Sequence, residues 1–216
     1  MTHRTGIIGP VASASLDAAL STLSATDPVL AGLVERHGPP PPRRRVRADR
    51  RFGELARAIA YQQLAGRAAA SIHGRFVEAL GGEVSAERVL ATPEHELRAC
   101  GLSGSKTASI LDLAGKVVSG DVALHSIGRL SDDDVVARLT VVRGVGTWTA
   151  HMFLMNSLNR LDVWPVGDYG VRAGYARAWG LEEIPTPKEV EVCGEPFRPY
   201  RSLVAWYCWR AADDAP

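Results

Sequence analysis

The chain has 216 residues, with 25 Lys or Arg against 24 Asp or Glu and a formal charge of +1. Hydrophobic residues at 46% and charged residues at 23% are ordinary globular values and exclude a disordered chain. The length suits one large domain or two small ones, with enough chain to bury a core. No run of about 18 apolar residues exists, so no membrane span is expected. The first fifteen residues lack the long apolar core of a signal peptide. Cys100, Cys193 and Cys208 are odd in number and far apart. They read neither as a disulfide framework nor as a four-cysteine metal site, and they predict a reducing cytoplasm.

The charge is unevenly spread. Residues 1–81 carry 11 Lys or Arg against 6 Asp or Glu, whereas residues 82–216 carry 14 against 18. The basic excess gathers between Arg43 and Arg51, and Lys106, Lys116 and Lys188 are the only lysines. Arginine forks suit phosphate oxygens. A solvated arginine-rich loop would have the same composition.

Helical spacing dominates the chain. Short helices are predicted over Leu16 to Leu23 and Val29 to Val34, and Pro39 to Pro42 then break the pattern. From Phe52, apolar positions at Leu55, Ile59, Leu64, Ile72, Phe76 and Leu80 follow a helical period until Gly81-Gly82 ends it. Ser85 to Leu90, Pro93 to Ala99 and Lys106 to Ser119 give three more helices. Thr92-Pro93 and Ser131-Asp132 place capping residues before acidic first turns. Helices are then expected over Asp132 to Leu139, Trp148 to Leu158, Asp168 to Trp179, Thr186 to Cys193 and Tyr200 to Ala211. Strand signals are weak: Val141-Val142 is too short, and Asp162 to Pro165 reads as a loop. The fold class is all-α, with short connections and no internal repeat.

The most informative stretch runs from Leu139 to Ala150: a helix end, the turn Gly144-Val145-Gly146, and a new helix at Thr147-Trp148-Thr149-Ala150. Backbone N–H groups at such a helix start can bind an anion such as phosphate. An ordinary tight αα-hairpin would carry the same glycines. Twenty residues after Trp148 comes Asp168, in Asp162-Val163-Trp164-Pro165-Val166-Gly167-Asp168.

Together these segments resemble the helix-hairpin-helix DNA glycosylase superfamily, in particular its DNA-3-methyladenine glycosylase II branch. Arg57-Ala58-Ile59-Ala60-Tyr61-Gln62-Gln63-Leu64-Ala65 is similar to one family helix, and Pro199 to Trp209 to its C-terminal helix. The resemblance covers about residues 50–211, and the four segments are specific only together. It implies a two-lobed, all-α fold in the compact form without an N-terminal β-domain. Residues 1–51 would be an arm packing with the C-terminal lobe. Residues 52–160 would be a helical barrel containing the hairpin at 131–158, and residues 161–216 would carry the aspartate loop and C-terminal helices. Asp168 would lie in the cleft between lobes. Arg143 stands where the family usually has proline.

The resemblance also implies roles. Asp168 would be the catalytic carboxylate, stabilising positive charge on the deoxyribose as the base leaves. A helix N-cap is its other reading, and both can hold at once. Asp162 would be structural. Trp148, Tyr169, Trp209 and Trp206 would wall a pocket for an electron-poor alkylated purine, although core packing suits Trp206 equally. Gln63, then Leu64, in the helix-to-helix connection after Ile59, would wedge into the gap left by the extruded base, although core packing is the other reading of Leu64. Arg143, Gly144, Gly146 and Thr147 would hold DNA phosphate. The carbonyls of Thr140, Val142 and Val145 would bind a monovalent cation. The family's four-cysteine iron–sulfur spacing is missing, so no such cofactor is expected. No lysine lies between Val141 and Asp168, which implies a monofunctional, water-using enzyme without lyase activity. The expected partner is double-stranded DNA containing alkylated bases, acted on by a monomer. A non-catalytic binder of distorted duplex and a glycosylase for deaminated purines or uracil are the alternatives.

Overall fold

Side-chain capping sets six of the twelve helix starts among the described residues. In the computed structural model Asp27 accepts N–H groups of Val29 and Leu30 at 2.7 and 3.1 Å, just ahead of Pro28. Ser85, Ser103 and Ser131 cap their helices through the N–H three residues on. Thr186 and Glu189 form a reciprocal capping box. The structure describes residues 16–42, 44–64 and 66–214; Arg43 of the arginine run and Ala65 lie outside these. Among the described residues there are twelve α-helices and no strands. They are α1 (Leu16–Thr26), α2 (Pro28–His37), α3 (Arg51–Tyr61), α4 (Gly66–Ala79), α5 (Ala86–Ala91) and α6 (Glu94–Ala99). Then follow α7 (Gly104–Val118), α8 (Asp132–Thr140), α9 (Thr147–Asn156), α10 (Tyr169–Trp179), α11 (Pro187–Gly194) and α12 (Arg201–Asp213).

The apolar period from Phe52 to Leu80 is carried by two helices, α3 and α4, separated by the helix-to-helix connection that the resemblance implied after Ile59. The break falls at Gln62, whose backbone turns extended (φ −51°, ψ 132°), and at Gln63, which takes a left-handed φ of 56°. The apolar spacing continues through the break because both helices bury the same kind of face. Periodicity therefore could not reveal it.

The chain divides into two units. One comprises residues up to Pro42 together with Trp164 onward; the other is Arg43–Val163. In the first, α10 packs along α12, and α2 also lies on α12. Gly174 sets the α10–α12 spacing, because any Cβ there would collide with the Cys208 carbonyl oxygen. The arm is tied in by polar bonds: Trp179 donates to Asp27 at 3.0 Å, and the buried Tyr207 hydroxyl donates to the Gly38 carbonyl at 2.9 Å. Burial pushes that phenol up to about 12. His37 and Arg36 both reach Asp214, at 3.0 and 3.5 Å.

In the second unit α3 is central. Its residues Leu55, Ala56, Ile59 and Ala60 are fully buried, and it packs on α7 and α9. Residues 44–51, expected in the arm, belong to this unit. Val46 donates to the Ser157 carbonyl at 2.8 Å, and Arg51 donates to the carbonyls of Leu124 and His125 at 2.8 and 3.0 Å. No helix of the described residues is long and apolar enough to cross a membrane.

Two predictions follow from this packing. Gly174→Ala should lower unfolding free energy by about 3 kcal/mol in urea titration, because backbone rather than a movable side chain fills the space. Burial holds His73 below the ordinary 6.5, aided by Arg57, and burial also holds His151 below it against the pull of Asp132 and Asp133. Below 6.5 the unfolded chain therefore binds more protons than the folded one, and stability falls as pH drops. Thermal melts from pH 7 to pH 5 should show that decline, and His73→Gln with His151→Gln should flatten it.

Candidate active site and hairpin

Asp168 sits at the N-cap of α10 and is half-buried. The loop before it is pinned by the buried Trp164, whose indole Nε1 donates to the Val190 carbonyl at 2.7 Å. Asp168 itself donates its backbone N–H to Pro165 at 2.8 Å. Its Oδ1 accepts the Val171 N–H at 2.8 Å and the Trp209 Nε1–H at 2.9 Å. The cap reading of Asp168 is thus realised, and the indole fixes the same oxygen from α12. Gly170 allows this meeting: a Cβ there would lie 3.0 Å from Trp209 Cδ1 and 3.2 Å from Asp168 Oδ1. The carboxylate charge also complements the positive end of α10.

The other aromatic candidates of this unit differ in setting. Tyr169 is 65% exposed, with Arg172 5.9 Å from its ring centroid. Trp206 is half-buried, packs edge-on against Tyr207 at 4.9 Å and lies under Arg210. Cys208, fully buried behind the site, has its thiol pushed up by burial, with the Asp168 charge adding to it. A thiol so placed stays protonated and unreactive.

The hairpin belongs to the other unit. It comprises α8, the turn over residues 141–146, and α9. Gly144 has a left-handed φ of 72°, and any Cβ on it would collide with Ser109 Oγ of α7. The turn is braced from α7 by Asp112, whose Oδ2 accepts the Arg143 N–H at 2.7 Å while its Oδ1 accepts Lys116 Nζ at 2.5 Å. Lys116, then the Arg143 N–H, hold the Asp112 carboxyl below the ordinary carboxylate range. The backbone N–H of Arg143 is therefore committed to the brace, and its contribution to phosphate binding would come from the exposed guanidinium. Gly146 and Thr147 are exposed at the start of α9, and nothing within 4 Å would meet a Cβ on Gly146. Their N–H groups are among those a helix leaves without internal acceptors. An oxyanion can approach them directly. Of the three carbonyls expected to hold a cation, that of Val142 already accepts the Val145 N–H at 3.1 Å, which leaves it one lone pair. Trp148 is 44% exposed, in the first turn of α9.

The expected wedge stands beside this hairpin. Gln63 is exposed, and Leu64 is 39% exposed, so core packing does not account for Leu64. The left-handed Gln63 is unusual for a residue other than Gly or the short-chained Asn and Asp, and costs about 1 kcal/mol or more. Its neighbour Gln62, not singled out by sequence, stabilises the turn. Gln62 Nε2 donates to the Gly144 carbonyl and to Thr149 Oγ1, each at 3.1 Å. Lys106 Nζ donates to the Ala60 carbonyl at 2.9 Å and so caps the end of α3. The doubled glutamine at a helix end was the available signal for Gln62. For Asp112, the signal was its i,i+4 spacing to Lys116.

The arginine run and the hairpin lie at opposite ends of α3, about 15 Å apart by helical rise. The antiparallel α9 gives the same result, since it starts in the hairpin and ends beside Val46. His151 faces the acidic first turn of α8, within the field of Asp132 and Asp133. Asp162 is half-buried and adds to the field that raises Asp132, whose main cause is burial.

Gly144→Ala should cost about 1–2 kcal/mol from the left-handed backbone and the Ser109 collision. Adding Ser109→Ala should return part of that in denaturant melts, whereas the same Ser109 change alone should not stabilise the parent.

Residues 56–199 match the pattern of the HhH-GPD superfamily of base excision DNA repair proteins. DNA-3-methyladenine glycosylase 1 of Schizosaccharomyces pombe is 35% identical over 201 residues, covering 92% of this chain and 88% of the relative. The solved structure of the fission-yeast 3-methyladenine DNA glycosylase with abasic DNA superposes with a TM-score of 0.82 at 35% identity, covering 91% of this chain and 97% of that one. A DNA-3-methyladenine glycosidase from Bacillus halodurans superposes with a TM-score of 0.80 at 31% identity, over 91% and 89% of the two chains.

Proposed function

The chain belongs to the HhH-GPD superfamily of base excision DNA repair proteins, and we propose that it hydrolyses the N-glycosidic bond of alkylated purines in duplex DNA. The observation that carries the reading is Asp168: a carboxylate oriented by the Val171 N–H and the Trp209 indole at the positive end of α10. Cleavage of an N-glycosidic bond builds oxocarbenium-like charge on the sugar. A fixed carboxylate stabilises that charge and receives the proton of attacking water. A cationic alkylpurine is a good leaving group, so no strong general acid is required. Trp209 acts as a positioning residue through its bond to Asp168, and it offers its ring face to the base. Tyr169 and Trp148 are the most exposed aromatic partners for an electron-poor purine.

The hairpin supplies the phosphate grip through the N–H groups of Gly146 and Thr147 and the Arg143 guanidinium. A monovalent cation on the carbonyls of Thr140, Val142 and Val145 would add positive charge there and take no part at the base. Gln63 and Leu64 fill the gap left by the extruded nucleotide. The absence of lysine from Val141 to Asp168 supports a monofunctional reaction that leaves an abasic site in an intact strand. Free, scattered cysteines favour the cytoplasm as its compartment.

Asp168→Asn isolates the charge, because Asn caps a helix as well as Asp does and keeps an acceptor for Val171 and Trp209. Excision from duplexes carrying 3-methyladenine or 7-methylguanine should fall by roughly a hundredfold or more. Duplex binding should remain. Equal excision by both proteins removes Asp168 from the mechanism, and a borohydride-trapped covalent adduct would contradict the monofunctional reading. Binding without excision in the parent would instead favour a non-catalytic damage binder.

A further inference from the structure

The end of α3 remote from the hairpin carries a second cationic feature. Arg45, Arg47, Arg51 and Arg129, with His125 and Ser126, line a cavity of about 340 Å³. That is room for roughly ten waters. Among the described residues no carboxylate lines it, and of these arginines Arg47 pairs with Asp49 at the exposed rim, 3.3 Å.

Arg51 is the unusual member. It is 6% exposed, and its Nη1 donates to two backbone carbonyls, but its buried Nε has no hydrogen-bond partner among the described residues. A buried guanidinium with an unmet donor is costly unless an acceptor arrives. A second positive charge stands beside it: Arg45 Nη2 donates to the Gly128 carbonyl at 2.6 Å. A Cβ on Gly128 would collide with the Arg45 guanidinium and stand 3.3 Å from Arg51 Nη2. Gly128 thus lets the Arg45 guanidinium occupy that position, close beside Arg51. Burial, and behind it the Arg45 charge, hold Arg51 below its ordinary value. A protein that relied on these arginines for packing alone would gain by pairing them.

We infer that this cavity is a binding site for a phosphate oxyanion, held by the forks of Arg45, Arg51 and Arg129. A compact, multiply charged anion gives the guanidinium forks that line the cavity an acceptor and cancels the repulsion between them. The site is separate from the hairpin, about 15 Å along α3. The oxyanion has two possible sources: a free phosphate compound, or a backbone phosphate of the DNA beyond the stretch gripped by the hairpin.

Calorimetric titration of the full chain with inorganic phosphate and with pyrophosphate, at fixed ionic strength, tests the site. Duplex binding is measured in parallel by fluorescence anisotropy. Arg45→Gln and Arg129→Gln are the test variants, since both residues are exposed and neither is needed to fill the core. Arg44→Gln is the control for charge alone, because Arg44 is exposed and does not line the cavity. Pyrophosphate should bind the parent saturably, and both test variants should weaken it at least tenfold while the control barely does. If that loss comes with unchanged duplex affinity, the source is a free phosphate compound. If instead duplex affinity falls in the test variants well beyond the control, the source is the DNA backbone. Binding of both pyrophosphate and duplex that is indifferent to Arg45 and Arg129, relative to Arg44, overturns the inference.

Discussion

The contact of Gly174 with the Cys208 carbonyl is the constraint on which the candidate catalytic group depends. Two helices can approach backbone to backbone only where one presents no side chain. Here that approach brings α12 near enough for Trp209 to reach Asp168 at 2.9 Å, with Gly170 clearing the path one turn earlier. The carboxylate is therefore oriented by main-chain geometry of α10 and by a side chain of α12. Neither source of order depends on a loop. An aspartate on an unpinned connection would lose rotamer entropy each time it engaged a substrate; this one has already been ordered by folding.

In the other unit α3 plays a comparable part. One end meets the hairpin through Gln62 and is capped by Lys106; the other gathers arginines around Gly128. A stiff helix with a buried apolar face keeps these two polar ends at fixed separation. The net charge of +1 averages over a cationic cluster and acidic surfaces, and binding of phosphates responds to the local arrangement.

Much of this was legible in the sequence. Helix positions followed from apolar spacing and capping residues, and the hairpin and Asp168 stood out because glycine, tryptophan and aspartate carry strong local meaning. What was not legible depends on contacts between distant segments. Gln62 looks like any polar residue until its amide is seen on Gly144. Asp112 looks like half of a helical ion pair until its second oxygen meets the Arg143 N–H. Gly170 and Gly174 read as weak points of a helix, since their function lies in what approaches them. The break between α3 and α4 came from the resemblance and not from periodicity, because burial imposes the same period on both helices.

The hairpin has a consequence for how its surface responds to substitution. Gly146 and Thr147 present N–H groups, and these exist whatever side chain the residue bears. Apart from Arg143, whose guanidinium is itself a contact, replacing residues one by one along the outer face of the turn would leave those donors in place and report little. Sensitivity should reside out of sight of the ligand, in Gly144, Ser109, Asp112 and Gln62, which hold the backbone in its curve. A map of contact residues and a map of intolerant residues would then disagree, and the second would be the better guide to what builds the surface.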